Sequence, residues 1–110
     1  MDINVKTVDE VTVVEIVGDI DGKTAMDVQE RVSPLVHPSS KILLDMSQVG
    51  YMSSAGLRLL LSIYRQASAN KASIVLVGVN QELQDTMSAT GFLRFFTIHD
   101  TVEAGLAGLQ

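Results

Sequence analysis

Most of the chemistry open to this 110-residue chain is concentrated in one stretch, Asp45-Met-Ser-Gln-Val-Gly-Tyr-Met-Ser-Ser54-Ala-Gly-Leu-Arg58. An apolar run ends at Asp45. Four small residues, Ser53, Ser54, Ala55 and Gly56, then open a leucine-rich amphipathic segment. A serine at a helix start serves as an N-cap, accepting from backbone N–H groups that have no partner inside the helix. Two adjacent serines exceed that need. A hydroxyl at this place also lies beside free amides and the positive end of the helix dipole, which favours a phosphate there by a few tenths to about 1 kcal/mol. Residue types alone leave both readings open, capping and anion contact.

Other chemistries find less support. Gly50-Tyr-Met-Ser-Ser54-Ala-Gly56 is only loosely a G-x-S-x-G elbow, because Met52 stands where the first glycine is required. A triad of Ser54, Asp45 and a histidine has nothing beyond spacing in its favour. Neither G-x-x-x-x-G-K-[ST] nor G-x-G-x-x-G occurs, so no nucleotide-phosphate cradle is indicated. His37 and His99 have no partner at helical spacing, and without cysteine no thiolate metal site exists. Both histidines read as solvated surface residues, and Asp19 and Asp21 as turn-formers.

Composition narrows the function classes further. Eight Lys and Arg against thirteen Asp and Glu give a net charge of −5, which opposes binding to a phosphate backbone. Residues 1–30 carry eight acids and two bases, whereas no acid lies between Asp45 and Glu82, where Arg58, Arg65 and Lys71 occur. No apolar run approaches the ~20 residues that cross a bilayer. The start, MDINVK, is short of the apolar core of a signal peptide and reads as that of a chain that is not exported, and the lack of cysteine fits a reducing cytoplasm. A chain of this length folds as one domain, residues 1–110, and buries roughly 65% of its extended surface.

The elements that must position the serines follow from periodicity. Residues 2–7 alternate, Asp9-Glu10 is a tight turn, and Val11–Val17 is β-branched, which together predict a hairpin. Asp19-Ile-Asp21-Gly22 has turn chemistry. A helix from Thr24, capped by Thr24 or Asp21, turns Ala25, Val28, Val32, Leu35 and Val36 inward and ends or kinks near Ser33 ahead of Pro34. Residues 41–45 form a strand buried on both faces. A helix over 54–69 follows, with Leu57, Leu60, Leu61 and Tyr64 inward and Arg58, Ser62, Arg65, Gln66 and Ala69 outward. Then come a strand over 72–78, a helix over 81–90 stopped by Gly91, a strand over 95–98 and a helix over 101–109 capped by Thr101. The order ββαβαβαβα implies an α/β fold, a mixed sheet opened by a β-hairpin with helices packed against it.

The segment LLDMSQVGYMSSAGLRLLL resembles the signature of bacterial anti-sigma-factor antagonists, the STAS-domain family, and VGDID and LVGVNQELQDTMSATGFLRFF extend the likeness along the chain. The family form is an apolar strand, Asp-x-Ser-x-Val, two residues, then Asp-Ser-Ser/Thr-Gly-Leu and an apolar helix. The resemblance implies a phosphorylated serine two residues before the motif glycine. That is Ser54 here, with Ser53 second because it replaces the family's aspartate; Ala55 replaces a second hydroxyl. It also implies partner contacts at Asp19, Asp21, Gly22, Met52, Ser53, Ala55, Gly56, Leu57 and Arg58. The implied partners are a serine kinase that acts as anti-sigma factor, with the histidine-kinase-like ATPase fold, and a metal-dependent serine phosphatase. The unmodified protein would capture the kinase and free a sigma factor, with no cofactor, no catalysis of its own, no nucleic acid and no membrane insertion, as a cytoplasmic monomer. The SAGL form also resembles the STAS adaptor subunit of bacterial ABC lipid transporters, the second role the likeness allows.

Overall fold

The computed structural model describes all 110 residues. Asp2–Val8 (β1) and Val11–Val17 (β2) pair antiparallel in a continuous register from Val8↔Val11 to Asp2↔Val17. Asp9 and Glu10 close the hairpin with φ of +50° and +68°. Left-handed conformations at both central residues make the mirror-image two-residue turn whose twist matches that of the strands.

After this hairpin, helices and strands alternate: α1 (Ala25–Val32), β3 (Lys41–Gln48), α2 (Ser54–Ala69), β4 (Ser73–Val77), α3 (Gln81–Ala89), β5 (Thr97–His99) and α4 (Val102–Leu109). The sheet order is β1-β2-β3-β4-β5, with β2 to β5 mutually parallel. Each crossover steps one strand in the same direction. Right-handed crossovers of that kind put α1, α2 and α3 on one face of the sheet and leave the other to α4. Burial follows this division. A 20-residue core including Val28, Ile42, Leu44, Leu60, Ile63 and Met87 lies under the three helices, and a six-residue cluster of Val11, Val13, Leu43, Val75, Val77 and Leu109 lies under α4. β3 thus sends Ile42 and Leu44 to one face and Leu43 to the other, which is why its sequence is an unbroken apolar run.

The expected element order and mixed sheet are present, with local differences. β3 continues past Asp45 to Gln48, because pairing with β2 resumes at Val17↔Gln48 after an irregularity and Gly18 N–H donates to Gln48 O at 3.1 Å. α1 stops at Val32, as expected ahead of Pro34, but Ser33–Leu35 add a single 3-10 turn with the proline inside it. Leu93–Phe95 form another such turn, so the last strand begins at Thr97 rather than Phe95. The buried face of α2 is wider than the leucine stripe predicted. It comprises Gly56, Leu57, Leu59, Leu60, Ile63 and Ala67, with Leu61 and Tyr64 half-buried at its border. The middle helix is covered by α1 on one side and by the segment Phe95–Phe96 on the other. Gln66 is turned toward the end of α1, donating from Nε2 to Ser33 O at 3.0 Å and accepting from Ser33 Oγ at 3.0 Å. Tyr64 packs against Phe95 and Phe96, with ring centroids 5.4 and 5.7 Å apart.

Candidate functional site

Ser54 and its neighbours stand at the carboxyl end of the parallel strands, where β2 runs into the Asp19–Gly22 turn and β3 into α2. One isolated parallel bridge, Ile20↔Met52, ties the two connections together. Ile20 N–H donates to Tyr51 O at 3.0 Å, and Ser53 N–H donates to Ile20 O at 2.9 Å. Asp19 Oδ1 lies 3.6 Å from the position of a β-carbon built on Gly50, so its carboxylate rests against the second connection. Segments thirty residues apart in sequence therefore form one continuous surface.

Asp21 organises the first connection. Its Oδ1 accepts from Lys23 N–H at 2.8 Å and Thr24 N–H at 3.1 Å, while Thr24 Oγ1 accepts from Asp21 N–H at 2.9 Å and donates to Asp19 O at 2.8 Å. The backbone N–H groups of Lys23 and then Thr24 hold the Asp21 carboxyl below its ordinary value of 3.8. Thr24 occupies the N-cap position of α1, yet its hydroxyl makes no bond to the helix amides. Asp21, ahead of the helix, takes the Thr24 amide instead.

The capping reading of the serines is not what the structure contains. Ser53 has the extended backbone of an N-cap residue, φ −80° and ψ 177°, but no side chain caps α2. Ser53 Oγ is buried and has no hydrogen-bond partner. Ser53 N–H is tied to Ile20 O in strand fashion, and its hydroxyl does not reach the helix amides. Ser54, the first helical residue, is exposed and makes no side-chain hydrogen bond. The N–H groups of Ser54, Ala55 and Gly56 precede the first intrahelical bond, from Leu57 N–H to Ser53 O at 3.1 Å. Arg58, one turn along at i+4, is also exposed, and α2 has no acid in its first turn.

Of the residues assigned to partner contact, Asp19, Gly22 and Arg58 are exposed, and Asp21, Ser53 and Ala55 are half-buried. Met52, Gly56 and Leu57 are buried within the domain. Their place in the free domain is structural. Met52 and Leu57 belong to the core under the helices, and Gly56 packs on the Ile20 backbone, so all three support the surface from beneath. Tyr51, 54% exposed, was not singled out from the sequence. The signal was present in the alternation, since a buried Met52 in extended backbone places its predecessor outside.

The hydrolase geometry is absent. Asp45 Oδ1 accepts from Ser47 N–H and Oγ at 3.0 and 2.7 Å. His37 precedes the start of β3 whereas Ser54 follows its end, a separation of about 26 Å along the strand. His99 is half-buried rather than solvated, its Nε2 enclosed without a partner and packed against Gly108 of α4, across the sheet from α2. A groove of about 570 Å³ lined by Tyr64, Ser68, Ile74, Phe95 and Leu109 lies at the opposite end of the strands, away from Ser54. No helix is long and apolar enough to cross a membrane.

Residues 2–105 match the profile of the STAS domain. The chain belongs to the STAS-domain family. It is 29% identical over 70 residues to BtrV of Bordetella bronchiseptica, described as a candidate anti-sigma factor antagonist; the match covers 64% of this chain and 60% of BtrV, less than two thirds of that protein. An anti-sigma factor antagonist from Mycobacterium paratuberculosis has the same fold, with a TM-score of 0.85 and 23% identity over 98% of this chain and 92% of that one. The Bacillus cell fate determinant SpoIIAA shares the fold at 16% identity. Its phosphorylated form aligns with a TM-score of 0.75 over 99% of this chain and 100% of that one, and its unphosphorylated form with 0.73. This STAS domain is thus similar to proteins described as anti-sigma factor antagonists.

Proposed function

We propose that this STAS domain is a phosphorylation-controlled binding protein. In its unphosphorylated form it captures a serine kinase of the histidine-kinase-like ATPase fold that acts as an anti-sigma factor, releasing a sigma factor or equivalent target. The observation that carries the reading is the contrast between the two serines: Ser54 is exposed at the first position of α2, whereas the Ser53 hydroxyl is buried. A kinase reaches Ser54 without unfolding anything. A metal-dependent serine phosphatase reverses the modification.

The switch follows from electrostatics at one atom. Phosphorylation of Ser54 adds about −1.5 to −2 charges and three acceptor oxygens. The uncapped amides of Ser54, Ala55 and Gly56, the dipole of a 16-residue helix and Arg58 at i+4 receive them within the domain. A partner surface packed on Ser54, Asp19, Gly22 and Tyr51 would instead meet a desolvated charge. A 100-fold loss of affinity takes only about 2.7 kcal/mol, so binding is switched without refolding. The match of both SpoIIAA forms to this fold agrees with such a modification.

The test is to incubate the pure protein with ATP and the candidate serine kinases of its own cell, and to map phosphate by intact mass and peptide sequencing. One phosphate on Ser54, missing from Ser54→Ala, supports the switch. No phosphate with any kinase, together with stable copurification with a transporter ATPase, would replace it with the adaptor role.

A further inference from the structure

The outer edge of β1 carries no paired strand, and its sequence is complementary to itself. In a two-residue hairpin the residues flanking the turn exchange both backbone bonds, so Val8 and, by alternation, Lys6, Asn4 and Asp2 direct their N–H and C=O groups toward β2. Ile3, Val5 and Thr7 direct theirs outward. The side chains alternate as well: Ile3 packs against the core under the helices, Val5 is 37% exposed on that same face, and Asp2, Asn4 and Lys6 project on the other.

We infer that two copies of this chain associate through β1, antiparallel, with the twofold axis at Asn4. This register sets Asp2 against Lys6 of the partner copy and Lys6 against Asp2, and places Ile3 opposite Val5 on the other face. The outward N–H and C=O groups of Ile3 and Val5 then meet their counterparts, extending two five-stranded sheets into one of ten strands. Asp2 and Lys6 fall at non-hydrogen-bonded positions, where facing side chains approach most closely. Neighbouring registers lose this match. An axis at Val5 sets Asn4 against Lys6 and Asp2 against Val8, and an axis at Lys6 brings two ammonium groups together. Charge therefore selects the occupant of the edge and also its alignment. The contact is a single strand pair, at the small end of specific interfaces, so the dimer is weak and concentration-dependent. Antiparallel pairing about this axis points the two Ser54 ends in opposite directions, leaving each free for its own partner.

Sedimentation equilibrium of the full chain from about 10 μM to about 1 mM tests the pairing, since that range brackets weak interfaces of this size. A monomer–dimer equilibrium is expected. Asp2→Lys and Lys6→Asp should each weaken it about tenfold or more, because both cross-strand pairs become like-charged, and the double swap should restore it. Val5→Pro removes an outward N–H that β2 does not use and should abolish the dimer. Far-UV circular dichroism and thermal melting check that each variant is folded; if Val5→Pro disturbs the hairpin, the charge swap decides alone. A chain that stays monomeric throughout, or a double swap that associates no better than the single variants, overturns the pairing.

Discussion

Gly56 lies so close to Ile20 that a β-carbon at position 56 would stand 2.7 Å from the Ile20 carbonyl oxygen and 3.1 Å from Cγ2 of the same residue. That oxygen already accepts from Ser53 N–H. The glycine is thus needed for close approach: without a side chain at 56, α2 rests on the turn that follows β2. Gly56→Ala should push the two apart and cost about 1–3 kcal/mol, as overpacking does. Urea denaturation measures the loss, and Gly56→Val should lose more and bind the partner poorly even where it folds.

Ser54→Ala should leave stability within about 0.5 kcal/mol of wild type, since the hydroxyl is exposed and caps nothing. It should bind the kinase permanently, because it cannot be modified. Ser54→Asp should bind about 100-fold more weakly, near 2.7 kcal/mol. Calorimetric titration with the kinase compares the three proteins, and equal affinity of wild type and Ser54→Asp would contradict the charge mechanism.

Ser53→Ala should be neutral or stabilising by up to about 1 kcal/mol. It removes a buried hydroxyl that has no partner and keeps the backbone bond to Ile20. The stoichiometry of phosphate on Ser54 should not change. A loss of phosphate in this variant alone would make Ser53 the acceptor.

The Asp21 turn predicts a pH dependence of definite sign. Folding lowers the Asp21 carboxyl below 3.8, chiefly through the Lys23 amide. The folded state therefore binds a proton less readily than the unfolded chain, and the group's contribution is complete above the unfolded value. It is lost as pH falls through the folded value. Wild type should lose stability on acidification below about pH 4, and Asp21→Asn, which keeps an acceptor oxygen without titrating, should lose less over that interval. Melting curves at stepped pH would record the difference.

Leu60→Ala should cost about 2–5 kcal/mol by leaving a cavity under α2, where Leu60 is 1% exposed. This is a folding defect. Any partner affinity it loses should return when binding is measured on the folded fraction alone.

The fold was legible where local pattern and burial coincide. Alternation gave β1, the β-branched run gave β2, the unbroken apolar runs gave the doubly covered β3 and β4, and the helix over 54–69 has the predicted bounds. The 3-10 turn at Leu93–Phe95 escaped because Phe95 and Phe96 read as strand residues, and they are used instead to pack on Tyr64. The buried Leu59 and Ile63 escaped because one leucine stripe predicts one neighbour, and α2 has two. At the site, the placement of Ser54 at a helix start could be read directly. The fate of Ser53 could not. Its hydroxyl is enclosed at a connection tied to Ile20, thirty-three residues earlier, and no local periodicity reports such a contact.

The strand order β1-β2-β3-β4-β5 repeats the order of synthesis. Each strand that leaves the ribosome can therefore pair with one already in place, and none has to be inserted between two earlier ones. Growth of this kind keeps each new sheet contact to the immediately preceding strand, the shortest loop closure that parallel crossovers allow. The last step returns to the first: α4 closes over the second core, and Gln110 Nε2 donates to Asp9 O at 3.3 Å. Shortening the chain from its carboxyl end would strip the sheet one strand at a time, whereas removing the opening hairpin would take away the template on which the rest is laid.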